Sequence, residues 1–186
     1  WTGQPSRIPD AVTELELAEA DRTLTASWAV PNVPTAPAIT HYEWSRQAFT
    51  PGTVNRVEAG DLTALASGLS NGTTYTIGVR ACNALGCGAI SAQTATPAAV
   101  PTPPRNLAIA ARDEGIDLVW QAPLATNGAS IVSYEISIND GEWVAVGSAA
   151  TTWSTSAING AAVIARIRAI NRMGPSAVVT SNSVVP

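Results

Sequence analysis

One pattern occurs twice in this chain at a nearly fixed distance. Trp28-Ala29-Val30-Pro31 returns as Trp120-Gln121-Ala122-Pro123, and Ile39 with Tyr42 returns as Ile131 with Tyr134, both 92 residues on (120 − 28 and 134 − 42). Asn83-Ala84-Leu85-Gly86 returns as Asn171-Arg172-Met173-Gly174 after 88 (171 − 83). A distance that falls by four within the repeat means two copies of one fold, the second with a short deletion. The 186 residues therefore divide into two domains of about 90, a size that supports one modest core each.

Inside each copy the segments are short, alternate apolar with polar residues and end at turn residues, as the strands of an all-β sandwich do. Copy one gives strands over 12–17, 22–28, 39–46, 54–57, 62–66, 74–81 and 89–96. Leu24, Ala26 and Trp28 share one face of the second, and Tyr75, Ile77, Val79 and Ala81 one face of the sixth. Copy two gives 106–111, 116–120, 131–138, 143–146, 151–155, 163–170 and 177–183. Asn139-Asp140-Gly141 is a tight-turn signal, because Asp-Gly tolerates positive φ. Four prolines in 97–104 read as a semi-rigid spacer. The expected boundaries are 5–97 for the first domain, 98–104 for the linker and 105–186 for the second domain. No long helix is expected.

Net charge is −4, and all ten basic residues are Arg. An acidic chain without a basic cluster lacks the footprint of a nucleic-acid binder. The absence of Lys removes Schiff-base chemistry and Lys–Asn cross-links, and it points to a GC-rich bacterial or phage genome. Apolar content of 46% is too high for disorder. No stretch approaches the roughly 18 apolar residues of a membrane span, so no membrane insertion is expected. The first residue is Trp, read as a processing boundary, and the chain is expected to be a segment of a longer array.

In order along the chain, Trp28, Pro31, Tyr42, Leu69, Asn71-Gly72, Tyr75 and Asn83 to Gly86 resemble the pattern of fibronectin type III domains. Trp120, Pro123, Tyr134, Asn159-Gly160 and Asn171 to Gly174 repeat it. The resemblance covers nearly the whole chain and implies two immunoglobulin-like β-sandwiches in tandem. It also implies a tyrosine corner at Tyr75, whose hydroxyl bonds back to the chain upstream. The equivalent position in copy two is Val163, so copy two is expected to be the more divergent and less stable domain. By the same resemblance, loops 31–38 and 83–88 lie at the amino-terminal tip. Asn32, Val33, Asn83, Ala84, Leu85 and Gly86 are accordingly the candidate binding loops. No Arg-Gly-Asp occurs, so the integrin-binding use of the fold has no support.

The two cysteines, Cys82 and Cys87, are replaced together in copy two by Ile170 and Pro175. Joint loss fits a bonded pair, and a disulfide would imply an oxidising compartment; two free thiols are the alternative. A zinc site is set aside, since two thiols and one distant His, His41, leave the shell incomplete. No metal or cofactor is expected. Cys82 falls on the outward phase and reads as a surface staple, and His41 as a solvated residue on the same face. Nothing marks a carboxylate pair, so the chain is read as non-catalytic. Asn71-Gly72-Thr73 fits a glycosylation sequon but is read as the turn.

Of six Trp residues, Trp28 and Trp120 are core by the resemblance. Trp44 and Trp153 sit on inward phases by alignment with Ile136 and Leu65. That leaves Trp1 and Trp143, of which Trp143 is the candidate for stacking on a sugar ring. Ile164, Arg166, Arg168 and Ile170 alternate along the outward phase of the sixth strand of copy two, a candidate contact face. The leading expectation is a non-catalytic spacer or adhesion module, extracellular or on a cell or virion surface, that meets a protein partner or other subunits of an assembly. A carbohydrate-binding accessory domain of a secreted polysaccharide-degrading enzyme and a subunit of a self-assembling surface filament are the alternatives.

Overall fold

The alternation of apolar and polar residues sorts the strands of each repeat into two sheets that face one another across a core. A computed structural model describes residues 6–31 and 37–186. The chain divides into two units, Trp1–Pro97 and Ala98–Pro186. In the first unit β1 is Thr13–Ala20, β2 Thr23–Ala29, β3 His41–Ser45, β4 Asn55–Glu58, β5 Thr63–Ala66, β6 Tyr75–Asn83, β7 Gly86–Cys87 and β8 Ser91–Ala95. In the second, β9 is Arg105–Arg112, β10 Gly115–Gln121, β11 Ser133–Ile138, β12 Val144–Gly147, β13 Thr152–Ser156, β14 Ala165–Asn171, β15 Gly174–Pro175 and β16 Val179–Thr180. No helix occurs among the described residues, and accordingly none is long and apolar enough to cross a membrane.

Each unit pairs a three-stranded sheet, β1-β2-β5 or β9-β10-β13, with a five-stranded one. The latter runs β4-β3-β6-β7 with β8 also on β6, and β12-β11-β14-β15 with β16 also on β14. The expected all-β architecture stands. Strand ends move by one to three residues at most positions, while the last strand of copy two shrinks to Val179–Thr180, with Val184 bridged separately to Val163.

The cores are copies of one another. Leu24, Ala26 and Trp28 are buried against Tyr42, Ile77, Val79 and Ala81; Leu118 and Trp120 are buried against Tyr134, Ile136, Ala165, Ile167 and Ala169. Trp28 meets Tyr42 edge-on at 5.4 Å, and Trp120 meets Tyr134 at 5.5 Å. Both indole N–H groups and the Tyr42 hydroxyl are buried without a hydrogen-bond partner, a cost of roughly 1–3 kcal/mol each that the aromatic packing offsets.

One alignment needs correcting. The ladder sets Trp153 opposite Leu118, and Ala64 opposite Ala26, the residue equivalent to Leu118. Trp153 thus matches Ala64 and faces the core, whereas Leu65 points outward and is 58% exposed. Three of the four residues missing from copy two therefore fall before β13, where the offset is 89 (153 − 64). Glu14 and Asn106, at matching positions in β1 and β9, both have positive φ of 52°. A β-bulge accompanies the pair in β1, and neither Glu nor Asn at that point announces one.

The Asn-Gly turns are tied to the first hairpin in both units. Asn71 Oδ1 accepts from Arg22 N at 2.8 Å and its amide donates to Asp21 at 2.7 Å; Asn159 does the same with Glu114 N and Asp113, at 2.9 and 2.8 Å. The Asn71 amide is therefore engaged in the turn. At 139–140 the positive φ values fall on Asn139 (47°) and Asp140 (59°), not on Gly141, which makes this a type I′ turn closed by Gly141 N to Ile138 O.

The stretch 98–104, expected as a spacer, is bonded to the second unit. Ala99 N donates to Asn127 O, Thr102 N to Ala125 O, and the Asn127 amide to Val100 O. Its counterpart in copy one is the segment around Arg7, whose carbonyl accepts from the Asn83 amide at 2.8 Å.

The tyrosine corner is present where expected: Ser70 N donates to the Tyr75 hydroxyl at 3.0 Å. In copy two the position is Val163, buried and joined by two backbone bonds to Val184. The three tyrosines consequently differ in acidity. The Ser70 backbone N–H pulls Tyr75 below its ordinary value, while burial pushes Tyr42 and Tyr134 above theirs. For the buried pair the neutral form stabilises the fold fully below the unfolded pKa of about 10, and this is lost as pH rises through the higher folded values. In an alkaline titration followed by tyrosinate absorbance, one third of the change should precede unfolding, and two thirds should coincide with loss of near-UV circular dichroism. Three tyrosines ionising together in the native protein would contradict this.

Candidate functional site

The outward face of each five-stranded sheet carries the same three-part arrangement. In the first unit β3 and β6 set His41 opposite Cys82 and Glu43 opposite Arg80. Arg80 Nε and Nη2 both donate to Glu43 Oε2, at 2.8 and 2.6 Å, and the Arg80 guanidinium lies 4.8 Å from the centre of the Phe49 ring. In the second unit β11 and β14 set Glu135 opposite Arg168. Arg168 donates to Glu135 Oε2 through Nε at 2.7 Å and lies 2.6 Å from it through Nη2, and its guanidinium stacks 4.3 Å from the Trp143 ring. A cross-strand Glu–Arg pair capped by an aromatic from the loop before the edge strand thus recurs in both copies. Each half-buried pair contributes about 0.5–1 kcal/mol, and each stack a similar amount.

Neither Glu–Arg pair was singled out from the sequence, although a signal existed. Glu follows the third-strand Tyr in both copies (Tyr42-Glu43, Tyr134-Glu135), and Arg stands three residues before the repeated Asn (Arg80, Arg168). The aromatic caps left no such trace, because Phe49 and Trp143 sit in loops that differ in length.

The candidate contact face is modified by these pairs. Ile164 is 39% exposed, just ahead of β14, and Ile170 is half-buried. Between them Arg166 is ion-paired with Asp140 and Arg168 with Glu135, so the two arginines are pinned rather than free. Trp143 is half-buried and carries Arg168 over its ring, so a sugar ring would have to take the opposite face.

The tip residues divide sharply. Asn83 is buried, and its amide donates to Arg7 O at 2.8 Å and Pro37 O at 3.0 Å while Oδ1 accepts from Leu85 N at 2.9 Å. Asn171 makes equivalent bonds to Ala99 O, Ala129 O and Met173 N at 2.8, 3.4 and 2.8 Å. The Asn of this motif is a clasp, which leaves Leu85, 54% exposed, as the outward side chain of the loop. Ala84 is exposed and Gly86 half-buried. Asn32 and Val33 lie outside the described residues.

Cys82 and Cys87 are disulfide-bonded, their Cα atoms 4.0 Å apart across the β6–β7 ladder. Cys82 has the expected outward phase, but it is only 1% exposed and is not a surface staple. Cys82 lies between His41 on β3 and Cys87 on β7 in the ladder. The strand register also corrects the view of His41 as distant and solvated. It is 41 residues away in sequence (82 − 41) yet directly opposite Cys82, and its side chain is 14% exposed. His41, Glu43, Cys82 and Cys87 place one potential ligand atom each within 4.8 Å of the others.

No known family's sequence profile matches the chain. Among solved structures it is similar to the crystal structure of chicken CNTN1 FN1-FN3 domains, with a TM-score of 0.54 and 16% identity over 97% of this chain and 68% of that one. At that identity the likeness speaks to fold alone. Taken with the paired sheets, the Trp–Tyr cores and the tyrosine corner, it shows that this chain has the fold of two fibronectin type III-like β-sandwiches in tandem.

Proposed function

We propose that the chain is a non-catalytic module of an extracellular or surface assembly, bacterial or phage, that spaces its neighbours and presents sheet faces to a protein partner. The observation that carries this reading is the aromatic-capped Glu–Arg pair repeated on the outer face of both units. Arg and aromatic residues dominate the energetics of protein interfaces, and a guanidinium held by a carboxylate and a ring loses little freedom on binding. The Cys82–Cys87 disulfide supports an oxidising compartment, and the absence of Lys supports a GC-rich bacterial or phage source.

The test uses the full-length polypeptide on its native surface. Arg168→Glu combined with Trp143→Ala should abolish attachment or assembly while the chain keeps its native far-UV circular dichroism, the melting temperature falling by about 10 °C. Normal attachment by that variant would sink the reading. The carbohydrate alternative rests on Trp143: the Trp143→Ala single variant would then lose binding on a glycan array that the parent protein lights up, and a silent array removes it. The filament alternative requires concentration-dependent oligomers that Ile164→Arg with Ile170→Arg disperses.

A further inference from the structure

We infer that the first unit holds a second, redox-gated site: once the Cys82–Cys87 bond is reduced, Cys82, Cys87, His41 and Glu43 form a tetrahedral site for a borderline-soft divalent cation such as Zn²⁺. The register of β3, β6 and β7 brings these four side chains to one patch of the outer face. His41 stands opposite Cys82, Cys82 opposite Cys87, and Glu43 one outward position further along β3. The ligand atoms already lie within 4.8 Å of one another. Zinc bonds of about 2.3 Å to sulfur and about 2.0–2.1 Å to nitrogen place ligand atoms roughly 3.3–3.8 Å apart. Opening the S–S bond moves the two sulfurs toward that spacing, and a C-x₄-C separation falls within the range zinc sites use.

The surroundings prepare each ligand. Thr40 Oγ1 donates to Cys82 O at 3.3 Å, so its lone pairs are left to accept from His41 Nδ1, 2.9 Å away. With Nδ1 carrying the proton, Nε2 is the basic nitrogen, and Nε2 is the atom that faces Glu43 Oε1, at 3.7 Å. The bond from Nδ1 to Thr40 Oγ1 is the outer-sphere hydrogen bond that orients metal-binding histidines. Arg80 holds Glu43 by Oε2, at 2.8 and 2.6 Å, and so fixes Oε1 toward His41. Cys87 Sγ lies 3.7 Å from Glu43 Oε2. Charge balances as well, since a dication and the Arg80 guanidinium neutralise two thiolates and one carboxylate. The second unit serves as an internal comparison. Its equivalents of His41, Cys82 and Cys87 are Ser133, Ile170 and Pro175, so it retains the Glu–Arg pair but no metal ligands beyond Glu135.

The chemistry has two steps. A dithiol reductant supplies two electrons and two protons to the S–S bond, which breaks to two thiols as the reductant closes its own disulfide. The cation then binds both sulfurs and displaces one proton from each to solvent. The β6–β7 hairpin is clipped covalently in oxidising surroundings and by the metal in reducing ones.

The probe is Co²⁺, added anaerobically to the intact chain after reduction and removal of the reductant. Expected is one equivalent per chain, with a thiolate-to-cobalt charge-transfer band and the intense visible bands of a tetrahedral centre. Zn²⁺ should bleach these bands, and the oxidised chain should not produce them. His41→Ala and Glu43→Gln, which both retain the disulfide, should each weaken binding by about tenfold or more, and Cys82→Ser with Cys87→Ser should abolish it. Equal affinity of the parent protein and His41→Ala would overturn the proposal, because thiols alone would then account for the binding. Near-UV circular dichroism guards against a trivial result: if reduction unfolds the first unit and Co²⁺ does not restore the native signal, the site does not exist. A melting temperature of the reduced chain that rises with Zn²⁺ supports it.

Discussion

Asn83→Ala should cost the first unit about 3 kcal/mol, and Asn171→Ala should cost the second a similar amount. Asn83 is buried and uses every hydrogen-bonding direction of its amide that matters: two donated bonds to the carbonyls of Arg7 and Pro37, and one accepted from Leu85 N. Ala removes all three and strands their partners in a poorly hydrated place, at roughly 1 kcal/mol apiece. For a unit of this size the melting temperature should fall by on the order of 10 °C or more. Calorimetry of the whole chain gives the check, since only the transition of the altered unit should move. Asp at the same site should not recover the loss: Oδ1 can still accept from Leu85 N, but the second oxygen would face the carbonyls of Arg7 and Pro37, acceptor against acceptor. A shift of one or two degrees would mean that these loops carry little of the stability.

Gly88→Ala is the second large effect. A Cβ there would stand 2.1 Å from Pro9 O, 3.0 Å from Pro9 C and 3.1 Å from Asp10 O, all backbone atoms that no rotamer change can move. Either β6 and the loop after it part, breaking the bond from Gly88 N to Ala81 O, or the segment 6–12 lifts away. Either outcome is expected to cost about 3 kcal/mol. The matching residue in copy two is Ser176, which makes the same backbone bond to Ala169 O and fits its side chain in place. Hydrogen exchange should localise the damage in Gly88→Ala to residues 6–12 and 81–91. Unchanged protection there would show that the amino-terminal segment is not held as tightly as its bonds indicate.

What the sequence discloses here depends on whether a residue's role is local or requires a partner strand. Tyr75 and Ser70 are five residues apart, and their corner can be read from a short string. Core phase is local too, which is why Trp28, Tyr42, Ile77 and Val79 were placed without error. Trp153 faces the core as expected, but Leu65 does not, because an alternation pattern becomes its mirror image when slipped by one residue, and Ala-Leu-Ala in copy one does not show which phase is inward. His41 beside Cys82, Glu43 beside Arg80 and Phe49 over Arg80 are consequences of register between strands far apart in sequence. Only the ladder supplies that register. The Asn83 loop reads as a binding tip because the resemblance puts it at the amino-terminal end, yet the burial that makes Asn83 a clasp depends on segments 76 and 46 residues away.

Those same separations bear on how the chain is made. Asn83 reaches back to Arg7 across 76 residues and Asn171 to Ala99 across 72, so each sandwich is fastened by one of the last parts of its own stretch to be synthesised. Topologies dominated by such long-range contacts fold slowly, and repeats that share a pattern risk pairing with one another while they wait. Here the opening segment of each unit is clasped by an Asn of that same unit, and the first clasp can close before the second Asn has been translated. Ordered emergence from the ribosome thus gives each repeat its own partner in turn.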